Sequence, residues 1–352
     1  MAKATTITLP RPATGTAGLT DTTGLTGTTG QTDTTGLTDI TAERIVVGVD
    51  VGGTKTQIVV MRGRTELANT VIATPSWRRY SETVDADDMA NLVRLVNAEL
   101  NKATATEPSN TAQAPAVLCV GLHGADTPAQ TREAQRIIAD GFPGTALVVN
   151  DAELISHAGA ANTSMSLILG TGAIVVGRAA DGTLAKADGY GWMLSDFGSA
   201  PSLARESVRV ILEYAIDASE PEALADPLGA LFAKALDAAT VTDISVAFTY
   251  RASETGWGDL APLVFEALEQ GSMLAERVIS LTIGRIVACI NAVLSQGAVG
   301  DAVVAAGGVI THQPQFEGML RRAMLEDCIR PMRLEILRNP PVQGALALAR
   351  SL

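Results

Sequence analysis

Short apolar runs separated by glycine-containing turns begin near residue 44 of the chain. The runs 45–50, 56–62 and 66–73 are rich in β-branched residues, and short turns at 52–54 and 63–64 separate them. β-Branched residues favour strands, and connections this short join antiparallel neighbours. The pattern therefore predicts an antiparallel meander of three strands.

The hydrophobic period changes to that of a helix after this meander. Apolar residues from Met89 to Leu100 recur at three- and four-residue spacing, and Asp85, Asp87 and Asp88 stand at the amino end, where the helix dipole favours negative charge. An apolar strand, a short helix and another strand follow, at 116–122, 129–140 and 146–150. The order predicted up to residue 150 is βββαβαβ.

The same order begins again after Asp151. A helix leads to strands at 166–169 and 173–178 and to a third short strand beyond the turn Asp181-Gly182. Helical patterns and a further strand then follow, at 198–217, 222–237, 260–296 and 302–305. A duplicated order of this kind predicts an α/β protein whose two lobes face each other across a cleft.

Residues 1–43 have a different composition, rich in Thr and Gly. From Gly18 a six-residue pattern occurs four times, mostly with a single apolar residue in each repeat. Four such repeats bury too little apolar surface to offset the entropy cost of ordering them. The pattern predicts a disordered tail, and a role for that tail in recruiting partners stays open.

The overall composition excludes several classes of protein. The 352 residues are 47% hydrophobic, and a formal net charge of −12 without clustered Lys and Arg argues against a nucleic-acid surface. The odd, widely spaced Cys119, Cys289 and Cys328 indicate buried free thiols of a reducing compartment. No uninterrupted apolar run approaches the ~18 residues of a membrane span, and no signal peptide is recognisable. We therefore expect a cytoplasmic protein without a membrane partner.

The junction between the first two predicted strands has the chemistry of a phosphate site. Asp50 ends an apolar strand, and Gly52-Gly53 carries no Cβ atoms that would keep phosphate oxygens from the backbone N–H groups. Thr54 and Lys55 add a hydroxyl and a cation. The motif predicts a phosphate-binding hairpin with a carboxylate on the metal side; an ordinary hairpin with a glycine turn is the alternative.

Five segments in a fixed order carry a resemblance to a known family: Asp50-Val51-Gly52-Gly53-Thr54, Asn150-Asp151-Ala152, Gly170-Thr171-Gly172, Gly189-Tyr190-Gly191-Trp192 through Asp196-Phe197-Gly198-Ser199, and Ala306-Gly307-Gly308. Their order resembles that of the actin, hexokinase and heat-shock-chaperone ATPase superfamily. Within it, the chain from about residue 44 to its end is similar to the N-acetylglucosamine kinase and BadF/BadG/BcrA/BcrD ATPase family. The resemblance implies two ribonuclease-H-like lobes around a nucleotide cleft, comprising 44–150 with a returning helix 339–352, and 151–338.

The resemblance also implies how ATP and Mg²⁺ bind. Asp50 would hold the metal, usually through waters, beside the phosphates. The residues implied to contact the nucleotide belong to two phosphate turns and an adenosine turn: Gly52, Gly53, Thr54 and Lys55; Gly170, Thr171 and Gly172; Gly307 and Gly308. A plain hairpin at 170–172 and a mere strand-to-helix connection at 307–308 are the alternatives for the last two turns.

Asp151 is the candidate catalytic base. It follows the apolar strand 146–149, so its carboxylate is expected at the cleft floor, where a sugar hydroxyl would meet the γ-phosphate. Because Asp is also a favoured helix-cap residue, capping the next helix is the alternative.

The sugar side is expected to involve His123, Gly191, Trp192 and Asp196. Trp192 is equally suited to stack on a sugar ring or to fill a core, and His123 to bind substrate or to serve as a hydrogen-bonded structural histidine. The chain departs from the sugar kinases nearby: Phe197 replaces a glutamate, and apolar residues follow Gly170-Thr171-Gly172. Polar groups in a pocket decide which sugar is accepted, so the exact sugar does not carry over.

The resemblance therefore implies an ATP-dependent kinase that phosphorylates a hydroxyl of an amino sugar or N-acetylamino sugar, and it implies a homodimer. One alternative is an ATPase that activates a partner enzyme. Such activators hold an iron–sulfur cluster with paired cysteines, which this chain lacks. Another alternative is a nucleotide-dependent sugar sensor that has lost turnover.

Overall fold

The computed structural model describes residues 44–79, 84–105, 115–159 and 165–352. The predicted disordered tail, residues 1–43, lies outside the described residues, so its disorder stays a prediction.

The first sheet has the order β3-β2-β1-β4-β5. The first three strands are antiparallel neighbours, as the meander predicted, and β4 and β5 continue the sheet in parallel. Its strands are β1 (Ile45–Val51), β2 (Lys55–Arg62), β3 (Thr65–Ala73), β4 (Ala116–Leu122) and β5 (Gly144–Asn150). Helices α1 (Ala86–Thr104) and α2 (Pro128–Gly141) cover one face with their apolar stripes. Asp85 caps α1 by accepting the N–H groups of Asp87 and Asp88.

The second sheet repeats this arrangement, with the order β10-β9-β6-β7-β8. Its strands are β6 (Met165–Leu169), β7 (Ala173–Arg178), β8 (Leu184–Asp188), β9 (Ala302–Ala306) and β10 (Arg333–Ile336). The predicted two-lobed α/β fold is confirmed. Sequence reasoning missed β10, because four residues that alternate charged and apolar at a sheet edge give too short a period to recognise.

Between β8 and β9 the chain forms more helices than the three patterns predicted. The helices there are α4 (Ala200–Asp217), α5 (Glu220–Ala225), α6 (Pro227–Leu236), α7 (Val241–Tyr250), α8 (Glu254–Gly258), α9 (Ala261–Glu269) and α10 (Met273–Ser295). The helical pattern 260–296 forms two helices, α9 and α10, which are separated near Gly271, whose φ of 79° is left-handed. Asp237 ends α6 in the same left-handed region, and Thr240 opens α7 with a capping box.

Helix α10 is, among the described helices, the one long and apolar enough to cross a membrane. Its apolar face belongs to the core that covers the second sheet, where α10 contacts α4, α9 and strands β7 and β8. A core helix of a globular protein can satisfy the same criteria of length and composition, and α10 occupies such a core position here.

Two short helices lie where the two sheets meet: α3 (Glu153–Ala158) follows β5, and α13 (Val342–Arg350) is the last helix. Leu154 packs in one apolar cluster with strands of the first sheet and with α13, whereas Ile155 packs with β9 of the second sheet. The contact of α3 with α13 is tight, since a Cβ atom on Gly344 would lie 1.9 Å from the carbonyl oxygen of Leu154. Helix α13 returns to the first sheet as predicted; the domain boundaries themselves stay predictions.

Beyond β9, α11 (Gly308–Thr311) and α12 (Pro314–Glu326) lead to β10. All three cysteines are free, but only Cys119 is buried. Cys289 and Cys328 are half-buried, so the prediction of buried thiols is wrong for these two. Cys289 lies on α10, which turns part of its surface to solvent, and Cys328 lies just after the end of α12.

Candidate active site

The first predicted phosphate turn joins β1 to β2. Asp50 is the last residue but one of β1, and the N–H of Gly52 donates to the carbonyl of Lys55 across the turn at 3.0 Å. Gly53, Thr54 and Lys55 are exposed. The turn therefore presents its tip, a hydroxyl and a cation to solvent, as phosphate binding would require.

A chain of hydrogen bonds supports this turn from beneath. The indole N–H of Trp77 donates to the hydroxyl of Thr56 at 3.1 Å, and that hydroxyl lies 2.9 Å from the Thr74 hydroxyl. Thr74 in turn donates to the carbonyl of Gly52 at 2.8 Å. Sequence reasoning missed these three residues. For Thr74 and Trp77 the signal is the segment Thr74-Pro75-Ser76-Trp77, in which a large aromatic residue closely follows β3.

Asp151 lies close enough to Asp50 to influence it electrostatically. Burial, reinforced by the negative charge of Asp151, raises the pKa of Asp50 to about 7, while Lys55 opposes the rise. A buried carboxylate whose charged form is disfavoured by burial and by a second carboxylate favours a cation beside it. This arrangement fits a metal bound to phosphates at the same turn.

Asp151 lies between β5 and α3, with 18% of its side chain exposed. Its Oδ1 accepts the N–H of Ala152 at 3.0 Å, and its Oδ2 lies 3.4 Å from Nδ1 of His123. Helix α3 begins at Glu153 with Ala152 as its cap residue, so Asp151 stands one residue before the capping position. The carboxylate therefore accepts one N–H at the amino end of α3 and stays partly accessible, so the catalytic role and the capping role of Asp151 both stay predictions.

His123 lies between the first phosphate turn and Asp151. The backbone N–H of His123 donates to the backbone carbonyl of Val51 at 2.9 Å, and the backbone carbonyl of His123 accepts a hydrogen bond from Nη1 of Arg78 at 2.9 Å. A Cβ atom on Gly53 would lie 3.8 Å from Nε2 of the imidazole. The backbone of His123 is thus held on both sides, with one ring nitrogen towards Asp151 and the other towards the turn. Arg78, which is almost fully buried, was missed by sequence reasoning.

The predicted second phosphate turn and the predicted adenosine turn adjoin each other at the ends of neighbouring strands β6 and β9. A Cβ atom on Gly170 would lie 3.7 Å from the Cα of Gly307, and one on Gly307 would lie 2.3 Å from the carbonyl oxygen of Leu169. Gly307 has a φ of 111°, which other residues rarely adopt. The carbonyl of Gly170 accepts the N–H of Ala200 at 2.8 Å, which ties this turn to the start of α4. Thr171 is exposed at the tip.

The loop after β8 contains the predicted sugar-side residues Gly191, Trp192 and Asp196. Asp196 accepts the N–H of Gly191 at 2.9 Å, and burial raises the pKa of its carboxyl to about 6. Its Oδ2 would lie 3.4 Å from a Cβ atom on Gly172, next to the second phosphate turn. Asp188, missed from the sequence, holds the loop by accepting the N–H groups of Asp196 and Phe197.

Trp192 is half-buried and meets Trp257 of α8 edge-on, with 5.0 Å between ring centroids. Arg205 of α4 holds the same loop by donating to the carbonyls of Trp192 and Ser195. Part of the Trp192 ring therefore packs against the core, as its core alternative predicted. Its role towards a sugar stays a prediction.

The described site residues thus form two groups. Asp50, the first phosphate turn, His123 and Asp151 lie at the first sheet, and the other two glycine turns and the Asp196 loop lie at the second. In each half, a glycine turn follows the first strand of a five-stranded sheet with the same strand order. This duplicated arrangement is the actin-like ATPase fold.

Comparison with known proteins agrees with that fold. A putative N-acetylglucosamine kinase from Chromobacterium violaceum superimposes with a TM-score of 0.58 at 22% identity, covering 88% of this chain and 99% of the other. A putative N-acetylglucosamine kinase from Porphyromonas gingivalis has a TM-score of 0.56 at 15% identity, covering 87% and 98%.

Curated relatives also match over most of their length. An N-acetylmuramic acid/N-acetylglucosamine kinase from Clostridium acetobutylicum is 24% identical over 88% of this chain and 99% of the relative. An N-acetyl-D-glucosamine kinase from Dictyostelium discoideum is 21% identical over the same shares. The model of the BadF/BadG/BcrA/BcrD ATPase family matches residues 47–348, and the chain belongs to this family.

Proposed function

We propose that this protein is an ATP-dependent carbohydrate kinase that transfers the γ-phosphate to a hydroxyl of an amino sugar or N-acetylamino sugar. The observation that carries the proposal is the position of Asp151. Its partly exposed carboxylate lies next to His123, which borders the first phosphate turn, and it acts electrostatically on Asp50. The curated relatives with kinase names support the same reaction class.

The nucleotide would be held by the glycine turns. Backbone N–H groups and the side chains of Thr54, Lys55 and Thr171 suit the phosphates, and Gly307-Gly308 suits the adenosine. Asp50 fits Mg²⁺, which usually takes one or two carboxylates together with substrate phosphates. Among the described residues, no group of three or more Asp, Glu, His or Cys side chains could hold a metal. Mg²⁺ would therefore need ligands from the nucleotide phosphates as well. When bound, Mg²⁺ would neutralise phosphate charge.

Asp151 would orient the sugar hydroxyl and take its proton as the new bond forms. The hydroxyl oxygen bonds to the γ-phosphorus, the bond from that phosphorus to the bridging oxygen of ADP breaks, and the proton passes to the carboxylate. Little further covalent chemistry is asked of the protein, so position decides the rate.

Sugar recognition is proposed for His123, Gly191, Trp192 and Asp196. Because Ala173, Ile174 and Phe197 replace polar residues of the sugar kinases, the sugar preference of those kinases does not carry over to this chain. The proposal keeps domain boundaries at 150/151 and 338/339, a homodimer and a cytoplasmic location as predictions.

A coupled ADP-release screen tests the proposed function. The substrates are glucosamine, N-acetylglucosamine, N-acetylmannosamine, N-acetylmuramic acid and glucose, each with wild type and Asp151→Asn. We expect turnover with one of the amino sugars and a loss of ~10²–10⁴ in the variant, the usual worth of a positioned acid–base group.

Other outcomes would point elsewhere. ATP hydrolysis indifferent to every sugar would favour an ATPase that activates a partner enzyme. Tight sugar binding without ADP release would favour a sensor.

A further inference from the structure

Glu153 is a buried acid that the proposed mechanism does not use. It stands two residues after Asp151, at the start of α3, and only 7% of its side chain is exposed. Charged groups are rarely buried to this extent unless they are paired and hydrogen-bonded. The contacts of Glu153 therefore indicate what this buried charge does.

Both carboxylate oxygens of Glu153 have defined partners, one on each sheet. Oε1 accepts the N–H of Asn150, the last residue of β5 in the first sheet, at 3.2 Å. Oε2 accepts Nε of Arg178, the last residue of β7 in the second sheet, at 2.6 Å. Burial raises the pKa of Glu153, while Arg178 and the Asn150 N–H oppose that rise by stabilising the charged form. Glu153 thus joins the two sheets through one side chain.

Arg178 is itself held by the second sheet. Its Nη1 donates to the carbonyl of Gly182, in the turn between β7 and β8, and its backbone carbonyl accepts the N–H of Val299 at 3.0 Å. The second sheet therefore holds the Arg178 guanidinium in place independently of its contact with Glu153.

The other end of the connection is the segment that carries Asp151. The side chain of Asn150 accepts the N–H of Ala152 at 3.0 Å and donates to Asp126 at 3.0 Å. Asp151 accepts the same Ala152 N–H. Fixing the Asn150 backbone thus restricts the short turn from which the Asp151 carboxylate projects.

We propose that the Glu153–Arg178 ion pair positions Asp151 for phosphoryl transfer by tying its turn to the second sheet. This inference rests on the proposed function. Glu153 and Arg178 are positioning residues, which act on the reaction through Asp151. A displacement of about 1 Å at a reacting group costs roughly 10²-fold in rate, so loss of the tie reduces kcat.

Three variants test this proposal: Glu153→Gln, Arg178→Gln and the double variant. Glu153→Gln has a single acceptor oxygen, so it cannot accept from both the Arg178 guanidinium and the Asn150 N–H. We expect each single variant to lower kcat ~10- to 100-fold while the dissociation constant of a non-hydrolysable ATP analogue stays within about threefold. The double variant is expected to be no worse than the poorer single variant, because both act through one connection.

A second measurement does not depend on activity. Hydrogen exchange of the peptide spanning 148–155 should become faster in each single variant, because the Asn150 N–H and its turn lose their restraint. The matched control is the exposed pair Glu133 and Arg136 on α2, 2.8 Å apart. Glu133→Gln and Arg136→Gln should change neither measurement.

The outcomes separate the two proposals. Wild-type protein that phosphorylates no sugar overturns the proposed function. Unchanged hydrogen exchange at 148–155 shows that the Glu153–Arg178 ion pair does not restrain the Asp151 turn, whatever the activity, and this overturns the proposal. Any of three results overturns the positioning role. These are faster exchange with an unchanged kcat, additive losses of kcat in the double variant, and a fall in kcat that matches the loss of folded protein.

Discussion

At the scale of single residues, Asp50 is held in a state that costs the folded protein stability. Its pKa of about 7 lies above the ordinary 3.8, so the folded protein keeps a proton that the unfolded chain releases between these values. Stability without metal therefore falls as pH rises from 3.8 to about 7, and the penalty is fully present above that. A carboxylate with a raised pKa of this kind is typical of a functional site, here one suited to a cation.

Asp50→Asn should therefore stabilise the metal-free protein while abolishing turnover. At about pH 8 in EDTA we expect a gain on the order of 3 kcal/mol, measured as a higher melting temperature. The gain should shrink as pH falls towards 4. Asp217→Asn, at an exposed position, serves as the control. A melting temperature of Asp50→Asn that equals or falls below wild type at about pH 8 would contradict the assigned electrostatics.

His123 offers a second test at this scale, because its two ring nitrogens face different partners. The side-chain amide of Asn reaches approximately the position of Nδ1, and that of Gln the position of Nε2. If Nδ1 assists Asp151, His123→Asn should keep most of kcat and His123→Gln should lose about tenfold, worth ~1.4 kcal/mol. The reverse order would place the useful contact on Nε2, towards the phosphate turn.

At the scale of elements, the glycine turns depend on close approach between neighbouring strand ends. Gly307→Ala would put a methyl group 2.3 Å from the carbonyl of Leu169 at a left-handed φ. We expect a loss of about 2 kcal/mol or more and a weakened affinity for ATP, read by chemical unfolding and calorimetry.

Gly284→Ala is the matched control, since a Cβ at this position in α10 meets no atom within 4 Å. It should gain up to ~1 kcal/mol, because alanine is the better helix former. Equal effects of the two substitutions would show that the turn places no special demand on residue 307.

At the scale of the whole molecule, α3 contacts both sheets, so the two halves of the site are linked mechanically. A kinase must keep water from the γ-phosphate until its acceptor is bound, and closure of two lobes achieves this. We expect ADP release without sugar to be slow, and sugar to accelerate it by at least about tenfold. Rapid hydrolysis that no sugar alters would contradict this coupling.

Much of this molecule follows from the order of its residues. The β-branched runs, the helical period from Met89 to Leu100 and the glycine turns predicted the first sheet and the duplication, because strands and turns respond to local chemistry. The short edge strand β10 and helices α7 and α8 were missed, because elements this short contain too few residues for a hydrophobic period to be recognised.

The sequence by itself determined which residues can bind phosphate, carry a carboxylate or end a strand, because these properties belong to the side chains and the local backbone. Only the tertiary structure decided that Trp77 supports the first turn through Thr56 and Thr74, and that Arg178 holds Glu153 beside Asp151. These contacts join residues from 18 to 25 positions apart. Their energy depends on burial and on distances of about 3 Å, which are set only when the folded chain brings these residues together.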